Sequence, residues 1–178
     1  MTELREVIEG SKTIDVVCDI DGTMMNVEDR LALAIKNKKP EDRRMDWDTF
    51  LDPEVMRSLD KPNWDVVFVI KALANAKNNI IFTSARNERH RDVTEWQLRV
   101  GCRISLHENR YTDTPTGNFL YLRRDGDFRP DDITKKEILS KIIEKGHSPQ
   151  LAFDDRDQVV SMWRSIGLPC FQVRGGKF

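Results

Sequence analysis

An α/β architecture, a parallel sheet with helices on both faces, follows from three features of this chain. Short apolar runs of strand length recur along it. Helical patterns of roughly 10–15 residues separate several of them, and glycine or asparagine closes most of those patterns. The strand candidates are residues 14–18, 80–83, 119–122, 150–153 and 170–173. After the first strand, the polar and charged stretch 26–63 breaks the alternation. It predicts a helix over 27–36, then a long loop, together forming a small cap or lid. Residues 65–77 carry Val66, Val67, Ile70, Leu73 and Ala74 at helical spacing and end in the turn at Asn78-Asn79. Residues 89–100 place Val93, Trp96 and Val100 along one face, with Gly101 as the C-cap. A second interruption, 107–130, holds the turn signals Thr114-Pro115-Thr116-Gly117 and Arg124-Asp125-Gly126-Asp127. The last two helices, 134–145 and 157–166, bring Ile138, Ile142, Val159, Val160 and Trp163 inward and close at Gly146 and Gly167. With no repeat, low-complexity tract or linker, residues 1–178 read as one domain.

The composition narrows the class. A chain of 178 residues that is 39% hydrophobic and 33% charged can build a core without disulfides or a structural metal. No apolar run approaches the roughly 20 residues that span a bilayer, and the N-terminal ten residues are too charged for a signal peptide. Lys+Arg 29 against Asp+Glu 30 leaves a net charge of -1, which argues against non-specific coating of nucleic acid. Cys18, Cys102 and Cys170 are far apart with no CxxC pair, so they read as reduced thiols of a cytoplasmic protein. His90, His107 and His147 lack ligand spacing and read as surface or loop residues.

The chemistry lies at the strand ends, where open parallel sheets place their sites. Asp19-Ile20-Asp21-Gly22-Thr23 follows the first strand, Thr83-Ser84-Ala85-Arg86 the second and Asp154-Asp155 the fourth. An isolated Asp-x-Asp-Gly is more often a turn, but the order and shared location of these groups argue for a site. Gathered carboxylates need a cation between them, and a hard, oxygen-loving dication such as magnesium suits them. A carboxylate left free to attack phosphorus gives phosphoryl transfer through an aspartyl phosphate. Lys135 and Arg86 are the candidates to balance charge on the transferring group. Trp96 and Trp163 fall on apolar helical faces and read as core. Trp47, between Asp46 and Asp48 in the polar stretch, is the candidate for stacking on a nucleobase. Arg123, Arg124 and Arg129 flank the expected site and are candidates for contact with a nucleic-acid backbone.

These motifs resemble the haloacid dehalogenase (HAD) superfamily: Asp19 to Thr23 match its first motif, and Ser84, Lys135 and Asp154-Asp155 the next three, in order. Within it, the block from Phe153 through Trp163-Arg164, with Gly167 and the run at Cys170, resembles the 3'-phosphatase domain of phage T4-type polynucleotide kinase-phosphatase. Arg30 and the segment Arg129 to Lys135 also fit that domain. The resemblance implies a Rossmann-like fold and a magnesium-dependent phosphatase that removes 3'-phosphates from DNA or RNA ends. It implies Asp19 as nucleophile and Asp21 as general acid/base, with the backbone carbonyl of Asp21 on the metal. Ser84 would bond the phosphoryl oxygens, Lys135 neutralise charge, and Asp19, Asp154 and Asp155 hold magnesium. Arg30, Arg86 and Asp131 would contact substrate phosphate or orient Lys135. No Gly-x-x-x-x-Gly-Lys-Ser/Thr occurs, so the chain itself lacks the kinase signature. A separate kinase or ligase is then the expected partner, and a bacteriophage product in host cytoplasm the expected setting. The 26–63 stretch is longer than in that domain, which leaves a nucleotidase for 3'- or 5'-mononucleotides as one alternative; a non-catalytic partner of a separate polynucleotide kinase is another.

Overall fold

The computed structural model describes residues 13–106 and 117–176. In chain order the elements are β1 (Asp15–Asp19), β2 (Met25–Asn26), α1 (Glu28–Lys36), α2 (Trp47–Phe50), α3 (Pro53–Leu59), β3 (Lys61–Pro62), α4 (Trp64–Asn75) and β4 (Asn79–Asn87). A 3-10 turn (Glu88–His90) leads into α5 (Arg91–Trp96) and a π turn (Gln97–Gly101). Then come β5 (Asn118–Arg123), α6 (Asp131–Glu144), β6 (Pro149–Arg156), α7 (Asp157–Ser165) and β7 (Cys170–Gly176).

Val16, Val17 and Cys18 are buried almost completely, as a strand covered on both faces requires. They form the middle of a five-stranded parallel sheet with the order β5-β4-β1-β6-β7. Val17 pairs with Ile81 of β4 on one side and Ala152 of β6 on the other, and Asp19 lies beside Thr83. Successive side chains of a strand point to opposite faces. Val16 and Cys18 therefore pack with Val66, Val67 and Ile70 of α4, while Val17 packs with Val159, Val160 and Trp163 of α7. Ile138 and Ile142 of α6 cover Ile81 on that second face. β4 and β6 flank β1 on opposite sides, and the chain crosses from the β4-β5 side to the β6-β7 side, so a topological switch point falls at the carboxyl end of β1.

The stretch predicted as one helix and a long loop is more ordered than that. β2 and β3 pair antiparallel, Met25 with Pro62 and Asn26 with Lys61, and so return the excursion to its starting point. Between them, the Asp46 carboxylate accepts the Asp48 N–H and caps α2. The Asp52 carboxylate accepts the N–H groups of Glu54 and Val55 and caps α3, with Pro53 opening it. The helix expected over 89–100 is three short pieces instead. Its π turn buries both Gln97 and Leu98.

The histidines also need correction. His90 and His147 are buried, His147 with its Nδ1 3.4 Å from Asp15 and its ring against Phe119. His107 and Thr114 to Thr116 lie outside the described residues. Trp163 is core, whereas Trp96 is half-buried beneath the Arg57 guanidinium. All three cysteines are buried thiols, and burial pushes Cys102 and Cys170 up to about 12.

Candidate active site

Gly22 makes the first turn of the site possible. Its φ is +86°, and a Cβ there would lie 2.1 Å from Oδ2 of Asp155. The Gly22 N–H donates to the Met25 carbonyl, and the Met25 N–H to the Ile20 carbonyl, both at 2.8 Å. This tight loop sets Asp19 and Asp21 at the mouth of the switch point.

Asp19, Asp154 and Asp155 are all buried, and one oxygen from each lies within 4.8 Å of the others. Lys135, on the first turns of α6, donates to Oδ1 of Asp19 at 2.5 Å and to Oδ2 of Asp154 at 2.7 Å. The Trp163 indole N–H adds a bond to the same Asp154 oxygen at 3.2 Å. Burial pulls the Lys135 amine down, but Asp154 and Asp19 outweigh it and hold the amine charged. Burial raises the Asp19 carboxyl well above its usual value, with Lys135 opposing. Burial and the neighbouring Asp154 push Asp155 up to about 6.

Three buried carboxylates facing one ammonium leave an excess of acidic groups over cations. Oδ2 of Asp19 is buried without a hydrogen-bond partner among the described residues. An all-oxygen donor set of this kind fits a hard dication such as magnesium, not a soft metal.

A second cluster surrounds Asp21. Arg86 forks onto its two oxygens at 2.7 and 2.6 Å, and Arg30 ion-pairs with it from α1. Burial pushes Asp21 up, yet Arg86 and Arg30 together hold it well below the usual carboxylate range. Both arginines are completely enclosed or nearly so. Arg86 also donates to Thr94 and Gln97. Asp60, which follows α3, ties the group together: it accepts from Arg30 at 2.8 Å, Arg86 at 3.3 Å and the Gln97 amide at 3.0 Å. Its side chain is wholly buried, and sequence reasoning missed it. Ser84 is buried between the clusters, its hydroxyl accepting the Arg86 N–H.

The remaining expected residues are placed differently. Arg123, a candidate for contact with a nucleic-acid backbone, is buried. Its guanidinium donates to the carbonyls of Asp127 and Arg129 and pairs with Asp131. Asp131 also pairs with Arg156. Lys135 is oriented by Asp19 and Asp154, with no bond to Asp131. Arg129 stays on the surface, bound by forks to Asp127 and Glu137. The Arg123 guanidinium thus satisfies carbonyls of its own loop, while Arg124 is exposed.

Fold and site together define a phosphatase of the haloacid dehalogenase class. The chain belongs to the family of the polynucleotide kinase PNKP phosphatase domain, whose family model matches residues 14–178. It is similar to chains of the Pnkp1/Rnl/Hen1 RNA repair complex in two solved structures. One is 28% identical with a TM-score of 0.63, covering 95% of this chain and 45% of that one. The other is 29% identical with the same TM-score, covering 95% and 48%. The protein thus spans a little under half the length of these relatives. The class C acid phosphatase from Bacillus anthracis, 16% identical with a TM-score of 0.54 over 98% of this chain and 72% of its own, shares the fold. Among the described residues, no helix is long and apolar enough to cross a membrane.

Proposed function

We propose that the protein removes 3'-phosphates from polynucleotide ends through an aspartyl phosphate on Asp19. The observation that carries this reading is the asymmetry of Asp19: Oδ1 is held by Lys135 while Oδ2 is buried and unbonded. That oxygen attacks phosphorus, and the bond from phosphorus to the sugar 3'-oxygen breaks. Lys135 balances the charge gathered on the phosphoryl oxygens, and the Ser84 hydroxyl lies between the clusters to bond one of them. Asp21 is ionised in the free protein because two arginines hold it so. When the incoming phosphate draws a guanidinium of Arg30 or Arg86, Asp21, whose side chain is partly exposed, takes up a proton from solvent and gives it to the leaving oxygen. Asp21 then removes a proton from the water that hydrolyses the aspartyl phosphate. Asp19, Asp154, Asp155 and the Asp21 carbonyl would hold magnesium, which when bound supplies neutralising charge.

Family membership and the likeness to chains of an RNA repair complex support polynucleotide ends as the substrate, with a separate kinase or ligase as working partner. Phosphate release with magnesium tests the reading on three substrates: a 3'-phosphorylated oligonucleotide, a 3'-mononucleotide and a 5'-mononucleotide. The oligonucleotide is expected to be preferred, with Asp19→Asn folded and at least about 10³-fold slower. Preference for a mononucleotide, or wild-type turnover by Asp19→Asn, overturns it.

A further inference from the structure

Arg30 connects Asp21 to the outer surface of the flap formed by α1 to α3. Its guanidinium lies 4.2 Å from the centroid of the Phe50 ring. Phe50 meets Trp47 edge-on, 5.9 Å between centroids at 88°. Trp47 itself is 47% exposed. Its mount is firm: the Asp46 N–H donates to the Ala34 carbonyl at 3.0 Å, and the Asp46 carboxylate accepts the Asp48 N–H at 3.1 Å and the Thr49 hydroxyl at 2.7 Å. The Asn37 amide donates to the Thr49 hydroxyl at 3.2 Å, and neighbouring Met45 is buried. An indole fixed this way loses little conformational freedom when something stacks on it.

Arg44, three residues earlier, is exposed, and its side chain has no hydrogen-bond or ion-pair partner among the described residues. An exposed, unpaired guanidinium three residues from that indole suits an anion other than the one that reacts.

We propose that Trp47 stacks on the base of the 3'-terminal nucleotide, while Arg44 holds the phosphodiester joining it to the preceding nucleotide. The flap then selects single-stranded polynucleotide ends over small phosphate monoesters. Stacking on an aromatic tolerates any base, as a general end-processing enzyme requires. A mononucleotide offers Arg44 no phosphodiester. The inference rests on the polynucleotide reading and deepens it.

The test compares kcat/KM for a short single-stranded 3'-phosphorylated oligonucleotide with that for p-nitrophenyl phosphate. Trp47→Ala and Arg44→Gln are each expected to lower this preference about tenfold, chiefly through KM, with Trp47→Phe recovering most of it. Titration with the 3'-hydroxyl oligonucleotide is expected to quench indole fluorescence in the wild type and not in Trp47→Phe. A preference unchanged in Trp47→Ala overturns the stacking role, and one unchanged in Arg44→Gln overturns the phosphodiester contact. A wild type with no preference for the oligonucleotide overturns the polynucleotide reading itself.

Discussion

Asp155 is 3% exposed beside Asp154, and its carboxyl, raised to about 6, prefers the neutral form in the folded protein more than in the unfolded chain. Its stabilising contribution is therefore complete below the unfolded value near 4 and lost as pH rises through about 6. Asp19 shifts in the same direction, again mainly through burial. Asp21 shifts the other way, so its contribution is lost only in stronger acid, below this window. A dication among the three carboxylates reverses the penalty, because it favours the ionised forms and displaces protons on binding. The expected outcome is a melting temperature, measured in a chelator, that falls by roughly 5 °C between about pH 4.5 and pH 7.5. Magnesium should restore it at the higher pH and add little at the lower. A chelated protein with equal stability at both pH values would show that the acidic cluster carries no such strain.

The flap is the element that turns a superfamily turn motif into an enclosed site, and Asp60 is where it docks. Asp21, Asp60, Arg30 and Arg86 form an internally neutral quartet, closed by Gln97. Removing one carboxylate leaves an uncompensated buried guanidinium, which costs about 3 kcal/mol in comparable pairs. Asp60→Ala is therefore expected to lose about that much stability. Its kcat should drop at least about tenfold as the arginines lose their fixed aim at Asp21, while Asp60→Asn keeps the shape and suffers less. Chemical denaturation and steady-state kinetics on both variants check this, and wild-type kcat in Asp60→Ala would separate the flap from the site.

None of this was legible around Asp60, because its burial depends on α3 meeting Gln97 across a π turn, and no local periodicity records that contact. The strands were legible from Val16, Ile80 and Ala152, since a strand buried on both faces shows a plain apolar run. So were Asp19, Lys135, Asp154 and Asp155 as a group, because parallel strands deliver their carboxyl ends to one place. Asp52-Pro53 carried a readable helix start that the charged surroundings masked. The burial of Arg123 was not legible, because it depends on Gly126, at φ +78°, folding the loop back so that its own carbonyls receive the guanidinium.

At the scale of the whole molecule the net charge of -1 supplies no overall attraction for a polyanion. Whatever nucleic acid the protein binds must be held by local contacts, and most of the arginines near the site are already committed. Arg30 and Arg86 bind Asp21 and Asp60, Arg123 binds its own loop, and Arg129 is forked between Asp127 and Glu137. Few cations remain to displace counterions. For a single strand, each neutralised phosphate contributes about -0.7 to the slope of log affinity against log salt. Two such contacts predict a slope near -1.4 and a fall in kcat/KM of about sevenfold between 50 and 200 mM salt for a 3'-phosphorylated oligonucleotide. p-Nitrophenyl phosphate, which has no phosphodiester, should show a shallower dependence. A slope several times steeper would mean that a basic track running beyond the site also holds the strand. A slope no steeper than that of p-nitrophenyl phosphate would mean that stacking and the reacting phosphate alone hold the substrate, and that Arg44 contributes nothing to its capture.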